Sequence, residues 1–480
     1  NDSHAMTYLP PKYDQNDTLL ADLAPLGATI DASGGWWDAG DYPKFVQTTS
    51  YTVAMLLVGV RDFPSLLGPG SNGADFTAEA RFGTDWLLKM WDDSTSTLYY
   101  QVGITSGNDA VTADHDVWRL AGVDDTFGGS DPATRYIRNR PVFRAGPPGS
   151  KVSPNLAGRD AAAFALCYQV FRGSDPAYAA RCLRAAEHIF DLADTAPAGD
   201  LVTISPFDGY PETEWRDDLE LGAVELYQAL AAGTLPDNLP HADPAFYLGA
   251  AAHWANAYIH GPNDAADTLN LYDVSGLAHF ELHRAIDRAG HPAGLETTQS
   301  ALLADLRRQL DGAIAQAKTD PFQFGFTWSQ WDTTTHGAGL SVMASEYDEL
   351  TRGTRYATWS TRWLSNILGA NAWGTSLIVG DGTTYPRCLQ YQPANILPWQ
   401  HGTPIPLVGA AVEGPNSFSA TGSLDGMNPC PANHVDLFRR FNSKQAVYAD
   451  NVEAFSNVEA AIDLTASSPL AFARQALGRY

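Results

Sequence analysis

The sequence has no apolar run long enough to cross a membrane. Its longest clearly apolar stretch, Val53 to Val60, falls far short of the ~20 residues that a spanning helix needs. Positive charge is also scarce: 30 Lys and Arg stand against 55 Asp and Glu, a formal net charge of −25, and no basic cluster opposes that balance. Such a surface repels nucleic acid and anionic lipid, and it favours a neutral or cationic substrate over a polyuronate. Low-complexity tracts are missing, and with 44% hydrophobic residues the composition is that of a folded chain. There is no His-Glu-x-x-His pair, phosphate-binding loop, dinucleotide fingerprint or nucleophile elbow. That removes the zinc-protease, nucleotide-dependent and Ser-His-Asp hydrolase classes.

Cysteine is rare but informative. Of four, Cys167 and Cys182 flank the turn Gly173-Ser174-Asp175-Pro176 at nearly equal distances. In an antiparallel helix pair they would face each other, so a disulfide is expected, and with it a secreted, extracellular protein; two buried thiols are the plainer alternative. Cys388 and Cys430 show no such local logic. The chain starts at Asn1 without an apolar leader, which fits a leader already removed, and a preceding domain is equally compatible with that start.

Helical periodicity dominates what is present. Apolar residues recur at helical spacing in Tyr51–Val60, Phe76–Met90, Ala161–Phe171, Ala177–Leu192, Leu219–Leu230, Ala245–Ile259, Leu277–Ile286, Leu302–Ala315, Gly337–Tyr347, Tyr356–Leu368, Val452–Ile462 and Pro469–Leu477. About twelve helices in antiparallel pairs suggest an all-α fold, an (α/α)6 toroid of six helical hairpins. An open solenoid is the alternative, though no fixed-period repeat supports it. No linker divides the chain, so residues 1–480 are expected to be one catalytic domain, with 1–30 an irregular lead-in. Ser376–Val379 reads as a short strand or an extended loop. Long Gly/Pro-rich connections, 27–44, 109–154, 202–214 and 369–427, gather the Trp, Asp and Gly residues that look chemical.

The sharpest of these is Gly34-Gly35-Trp36-Trp37-Asp38-Ala39-Gly40-Asp41-Tyr42. Two carboxylates three residues apart, separated by small residues, could enter one cavity and hold one water between them, one accepting its proton and the other orienting it. Helix capping is the plainer reading for a lone Asp here, but the pairing and the Trp-Trp flank favour chemistry. Near the chain end, Asp450, Glu453, Glu459 and Asp463 supply candidates for a proton donor opposite that base. Spacing alone does not choose among them, and a solvated acidic face is the ordinary expectation for Glu453 and Asp463.

The Gly-Gly-Trp-Trp-Asp-Ala-Gly-Asp segment resembles the Asp-Ala-Gly-Asp signature of glycoside hydrolase family 9, largely cellulases. The terminal segment is similar to that family's second signature, with Glu459 four residues before Asp463 and nine after Asp450. Leu368-Gly369-Ala370-Asn371-Ala372-Trp373-Gly374 resembles the loop leading to the family's substrate-binding histidine. The resemblance spans residues near 30 to 465. It implies the (α/α)6 toroid and hydrolysis of β-1,4-glucan (cellulose or soluble cello-oligosaccharides) with inversion. It assigns Asp41 as base, Asp38 as its water-orienting partner and Glu459 as acid. It implies no cofactor for the chemistry. Relatives often bind calcium and some zinc, but no compact calcium loop or Cys/His cluster is visible, so a structural calcium stays unassigned. Many relatives carry an immunoglobulin-like module, and no such all-β stretch occurs here.

The match has gaps. The family's histidine falls at or beside Tyr391, its companion arginine near Gln392, and Phe455 stands where an aromatic hydroxyl is common. These positions lie around the sugar, so the preferred glycan stays open while Tyr391 becomes a binding candidate. Trp37, Trp118, Arg119 and Trp328 are further candidates to stack on or hydrogen-bond a sugar, with core packing the alternative for each. Trp331 shares the choice given for Trp328, and His336, His401 and His434 read as structural. The expected partner is a β-glucan polysaccharide or oligosaccharide, with no nucleic acid and no membrane. The leading reading is an endo-β-1,4-glucanase. Alternatives are an exo-acting enzyme on cello- or chito-type oligosaccharides, a toroid lyase or epimerase, which would lean on His, Tyr and Arg, and a non-catalytic glycan-binding relative.

Overall fold

The structure, a computed structural model, describes residues 2–70, 75–124, 126, 131–233, 235–262, 267–401, 407–419 and 422–478; for 398–401, which include His401, it describes the backbone alone. Helices dominate. Apart from the single turns Pro64–Leu67, Ala121–Asp124 and Arg135–Arg138, they are α1 (Val46–Asp62), α2 (Phe76–Met90), α3 (Pro154–Phe171), α4 (Pro176–Asp191), α5 (Arg216–Leu230), α6 (Pro244–Ile259), α7 (Ser275–Arg288), α8 (Gln299–Ala317), α9 (Thr333–Thr351) and α10 (Ala357–Ile367). Then come α11 (Gln392–His401), α12 (Phe455–Val458), α13 (Ile462–Ala466) and α14 (Ser468–Ala476).

Two kinds of helix alternate along the chain. The odd-numbered α1, α3, α5, α7 and α9 are buried on nearly every face. The even-numbered ones bury a single stripe, as at Ala179, Cys182, Leu183, Ala186 and Ile189 of α4. Packing follows this division. α1 packs on α3, α3 on α5, α5 on α7 and α7 on α9, while α13 and α14 contact both α9 and α1. Each even helix leans on the odd helix before it. Asp75, Asp175, Asp243 and Thr298 cap four of these outer helices, each side chain accepting a backbone N–H of the first turn.

The inner helices approach closely where they carry glycine. A Cβ on Gly158 of α3 would lie 2.3 Å from the Asp218 carbonyl carbon, and one on Gly222 of α5 would lie 2.6 Å from the Gly158 oxygen. Buried charge accompanies this packing and is paired. Arg159 holds Glu212 and Asp218, Arg61 holds Glu225 and Glu281, and Arg474 holds Glu346. One continuous apolar core runs from Ala5 to Ala473.

The purely α expectation needs correction. Strands β1 (Ala5–Tyr8), β2 (Pro25–Ile30), β3 (Lys44–Phe45), β4 (Trp91–Asp92), β5 (Thr97–Val102) and β6 (Val142–Arg144) form a small sheet in the order β2-β1-β6-β5-β3, with β4 paired to β5. The first 30 residues are therefore not simply irregular, because β1 finds its second partner at Val142 and Phe143. Long-range pairing of that kind leaves no periodic trace in so short a strand. Ser376–Val379 is extended, with one bridge between Ile378 and Ala411. The expected helix at Val452–Ile462 is absent, replaced by one turn at α12 and an extended Glu459. Cys167 and Cys182 are bonded across the α3–α4 hairpin, and Cys388 bonds Cys430.

Gly158→Val should lower the melting temperature, because overpacking against backbone costs about 1–3 kcal/mol or more. Gly173, with open space around its Cβ position, is the control: Gly173→Val should melt close to the parent in the same calorimetric scan.

Candidate active site

Three distant segments meet just before α1. The first, residues 34–42, is pinned from below. Lys44 Nζ donates to the Ala32 and Gly34 carbonyls at 2.7 and 2.8 Å, and Asp38 N–H donates to the Pro43 carbonyl. Gly35 has φ +69°, and a Cβ there would strike the Trp86 ring at 2.5 Å, so both the turn and the contact require glycine. The second segment, Gln390–Gln392, runs between the other two. Gln392 N–H donates to the Gly40 carbonyl at 2.8 Å, and Gln390 N–H donates to the Val458 carbonyl. The Cys388–Cys430 bond and Asp450, which accepts the Arg387 and Cys388 N–H groups, hold this loop. The third segment, 458–463, returns from the chain end, where Ile462 N–H donates to the Asp38 carbonyl at 3.0 Å.

The catalytic candidates therefore stand together. Gly40 N–H donates to Glu459 Oε1 at 3.0 Å, across 419 residues of sequence. A Cβ on Gly40 would lie 2.8 Å from that same oxygen and 2.2 Å from Gln390 Oε1, so no larger residue fits. Glu459 is half-buried. Burial and then the Asp41 charge push its carboxyl up to about 7, against the lowering effect of the Gly40 hydrogen bond.

The two aspartates differ in their surroundings. Asp38, 3% exposed, accepts hydrogen bonds from the Thr48 hydroxyl on Oδ1 and from the Tyr210 hydroxyl on Oδ2 at 2.7 Å. Burial still pushes it up to about 6. Asp41 is the poorer in hydrogen bonds of the two aspartates. Its Oδ2 has no hydrogen bond but lies 3.2 Å from His115 Nε2. Burial raises its pKa, with His115 opposing. The imidazole stands open to solvent on one side. Burial alone would lower its pKa, but Asp41, Glu459, Asp114 and Asp116 surround it and raise it. A cationic His115 facing both Asp41 and Glu459 favours the ionised form of each.

Among the expected sugar contacts, Tyr391 lies beside Gly40 through its neighbour Gln392, and Trp37 packs edge-on against Tyr42 at 4.7 Å. Both are half-buried. The other three are held inside the fold. Trp118 is buried and donates its indole N–H to Asn395, Arg119 pairs with Asp114 and Asp124, and Trp328 stacks on Phe324 and donates to Asp320. Their rings and guanidinium already have protein partners. Trp331 is instead 42% exposed. Asp463, expected on a solvated face, is buried. His115, Tyr210 and Gln390 were not identified from sequence. Only the Asp114-His115-Asp116 run hinted at the first, and the Gly/Pro-rich 202–214 loop held no sign of the second.

Among the described residues no group of three or more His, Cys, Asp or Glu side chains is arranged to hold a metal ion. The calcium left open above thus has no ligand set there.

With this geometry in view, the sequence profile of glycosyl hydrolase family 9 matches residues 6–472. The chain belongs to that family. Among family 9 relatives it is 34% identical to Endoglucanase 23 of Oryza sativa subsp. japonica, covering 84% of this chain and 78% of that protein. It is 27% identical to Endoglucanase B of Cellulomonas fimi, over 84% of this chain but only 36% of that longer protein. Its fold matches the cellulase Cel9M of C. cellulolyticum with a TM-score of 0.65, at 21% identity over 92% of this chain and 87% of that one. It also matches the endoglucanase of the termite Nasutitermes takasagoensis with a TM-score of 0.67, at 23% identity over 98% and 92%.

Because Gly40 both donates to Glu459 and leaves it room, Gly40→Ala should displace the carboxylate. A shift of about 1 Å is enough to lower kcat/KM about a hundredfold. A melting temperature within a few degrees of the parent, measured alongside, would separate this loss from unfolding.

Proposed function

We propose that the chain hydrolyses β-1,4-glucan by inversion at the anomeric carbon, as an endoglucanase, with Glu459 as acid, Asp41 as base and Asp38 as the residue that orients the water. The observation that carries this is the pair of carboxyls brought together at Gly40: Glu459 pushed up to about 7, and Asp41 with an oxygen that has no hydrogen bond, 3.2 Å from His115 Nε2. Glu459 gives its proton to the glycosidic oxygen, which leaves with the reducing-side sugar. Asp41 takes a proton from a water that attacks the anomeric carbon from the opposite face. Asp38 keeps a free lone pair on each oxygen beyond its bonds to Thr48 and Tyr210, and with one of them it can fix that water. Tyr391 and Trp37 are the proposed sugar contacts. The ring of Tyr391 offers a stacking face and one hydroxyl where relatives hold a histidine.

Membership of family 9 and relatives named as endoglucanases support a cellulase over a lyase or epimerase. The succession of odd helices that comes back to α1 supports an (α/α)6 toroid rather than an open solenoid, and the continuous core supports a single catalytic domain. Two disulfides support an exported, extracellular enzyme; no helix among the described residues is long and apolar enough to cross a membrane.

The product released first from cellohexaose should be the α-anomer by proton NMR; a β-anomer would sink the mechanism. Glu459→Gln should slow aryl cellobiosides in proportion to leaving-group pKa, while Asp41→Ala should lose about 10²–10⁴-fold with every leaving group. Rate should fall at high pH as Glu459 loses its proton near 7, and at low pH as Asp38, near 6, and Asp41 gain theirs, giving a narrow kcat/KM optimum.

A further inference from the structure

The mechanism leaves a second set of carboxylates, on the other side of Glu459, without a task. Glu413 N–H donates to the Glu459 carbonyl at 3.0 Å, and Glu413 Oε2 accepts the Asp332 N–H at 3.0 Å. Asp332 and Glu413 feel each other's charge, Asp463 feels that of Asp332, and Tyr272 faces all three. Several buried carboxylates elsewhere in the fold are matched by arginines: Glu212 and Asp218 by Arg159, Glu225 and Glu281 by Arg61, and Glu346 by Arg474. Here no described Lys or Arg forms an ion pair with any of the three. The nearest imidazole, His336, lies 3.4 Å from Asp267, and burial lowers its pKa, so it stays neutral.

Two further observations point to a ligand. Asp332 is 92% buried, being 8% exposed, yet its carboxylate accepts no hydrogen bond among the described residues, and buried Asp463 Oδ1 is likewise without a partner. Three open aromatic rings stand on the same stretches of chain as these acids. Trp331 lies 5.6 Å from Phe418 and is nearly parallel to Phe455 at 6.3 Å, and all three are exposed. The segments that carry the rings also carry the acids: Trp331 precedes Asp332, Phe418 follows Glu413, and Phe455 leads into Glu459.

An apolar ring face next to unpaired carboxylates suits a sugar whose C–H face stacks while a positive substituent meets the acids. We propose that Asp332, Glu413 and Trp331 form a subsite for a β-linked sugar residue that carries an ammonium group, as a glucosaminyl unit does. This rests on the hydrolytic reading above and narrows its substrate. An ammonium supplies the missing cation and charge-assisted hydrogen bonds, whereas a hydroxyl at the same carbon leaves the acids uncompensated. The formal charge of −25 draws a cationic oligosaccharide toward the site.

The test uses three β-1,4 hexasaccharides that differ only at C2: hydroxyl, free amine or acetamide. Wild-type kcat/KM on the amine should exceed that on the other two by about tenfold or more, the worth of one hydrogen bond to a charged group, and should fall as salt is added. Asp332→Asn with Glu413→Gln should reduce the ratio of amine to hydroxyl kcat/KM by about tenfold. Calorimetry on Glu459→Gln, which needs neither substitution to fold, should show the amine trisaccharide binding about tenfold tighter than cellotriose. Equal or weaker binding of the amine, or a ratio that the double variant leaves unchanged, overturns the subsite. Cleavage of the hydroxyl hexasaccharide with no preference for the amine removes the subsite and leaves the hydrolase. Tight amine binding with none of the three cleaved removes the hydrolytic reading and leaves the subsite.

Discussion

The hydrogen bond from Gly40 N–H to the Glu459 carboxylate joins residues 419 positions apart and sits where α1 begins. Around it, Ile462 N–H reaches the Asp38 carbonyl and Gln392 N–H reaches the Gly40 carbonyl, so backbone from three regions converges on one small residue. Everything chemical follows from that convergence. It brings a carboxyl from the chain end to the side of Asp41, where each group's charge disfavours ionisation of the other. Because the contact is made through backbone on one side, its geometry depends on Gly40 having no side chain, and Gln390 and Glu459 occupy the space a Cβ would need.

Electrostatics then separates the roles of three similar carboxyls. All are raised by burial, but their surroundings differ. Two hydroxyls stabilise the Asp38 anion and His115 faces Asp41, while Glu459 receives one backbone N–H and part of the His115 influence against two nearby negative charges. Glu459, pushed up to about 7, holds its proton longer than Asp38, pushed up to about 6, which suits a donor. The same reasoning applies to Asp332, Glu413 and Asp463, which crowd one another with no described Lys or Arg ion-paired to any of them.

The helical frame was legible because periodicity is a local property. Ten helices from Val46 to Ile367 lie where apolar spacing put them, with ends set by capping Asp and Thr side chains and first-turn prolines. Asp38, Asp41 and Glu459 were legible for a different reason: their spacing within two short motifs resembles a known pattern, and the match of the whole chain to family 9 bears out that resemblance. The symmetric placement of Cys167 and Cys182 about a turn likewise anticipated their bond.

What stayed hidden depends on contacts between distant segments. The terminal stretch around Glu459 has helical spacing, yet it is extended because Gln390 and Glu413 take its carbonyls. Strand β1 is four residues long, and its partners come from residues 25–30 and 142–143. Trp118, Arg119 and Trp328 look available in sequence and are occupied in space, while His115 and Tyr210 show the reverse. By itself the sequence determined most of the helical stretches and the two motifs that resemble family 9, since both are written in spacings of a few residues. Which oxygen is free, which pKa rises and which ring faces solvent were decided only by the tertiary structure, because burial and charge compensation come from neighbours that the chain brings from hundreds of residues away.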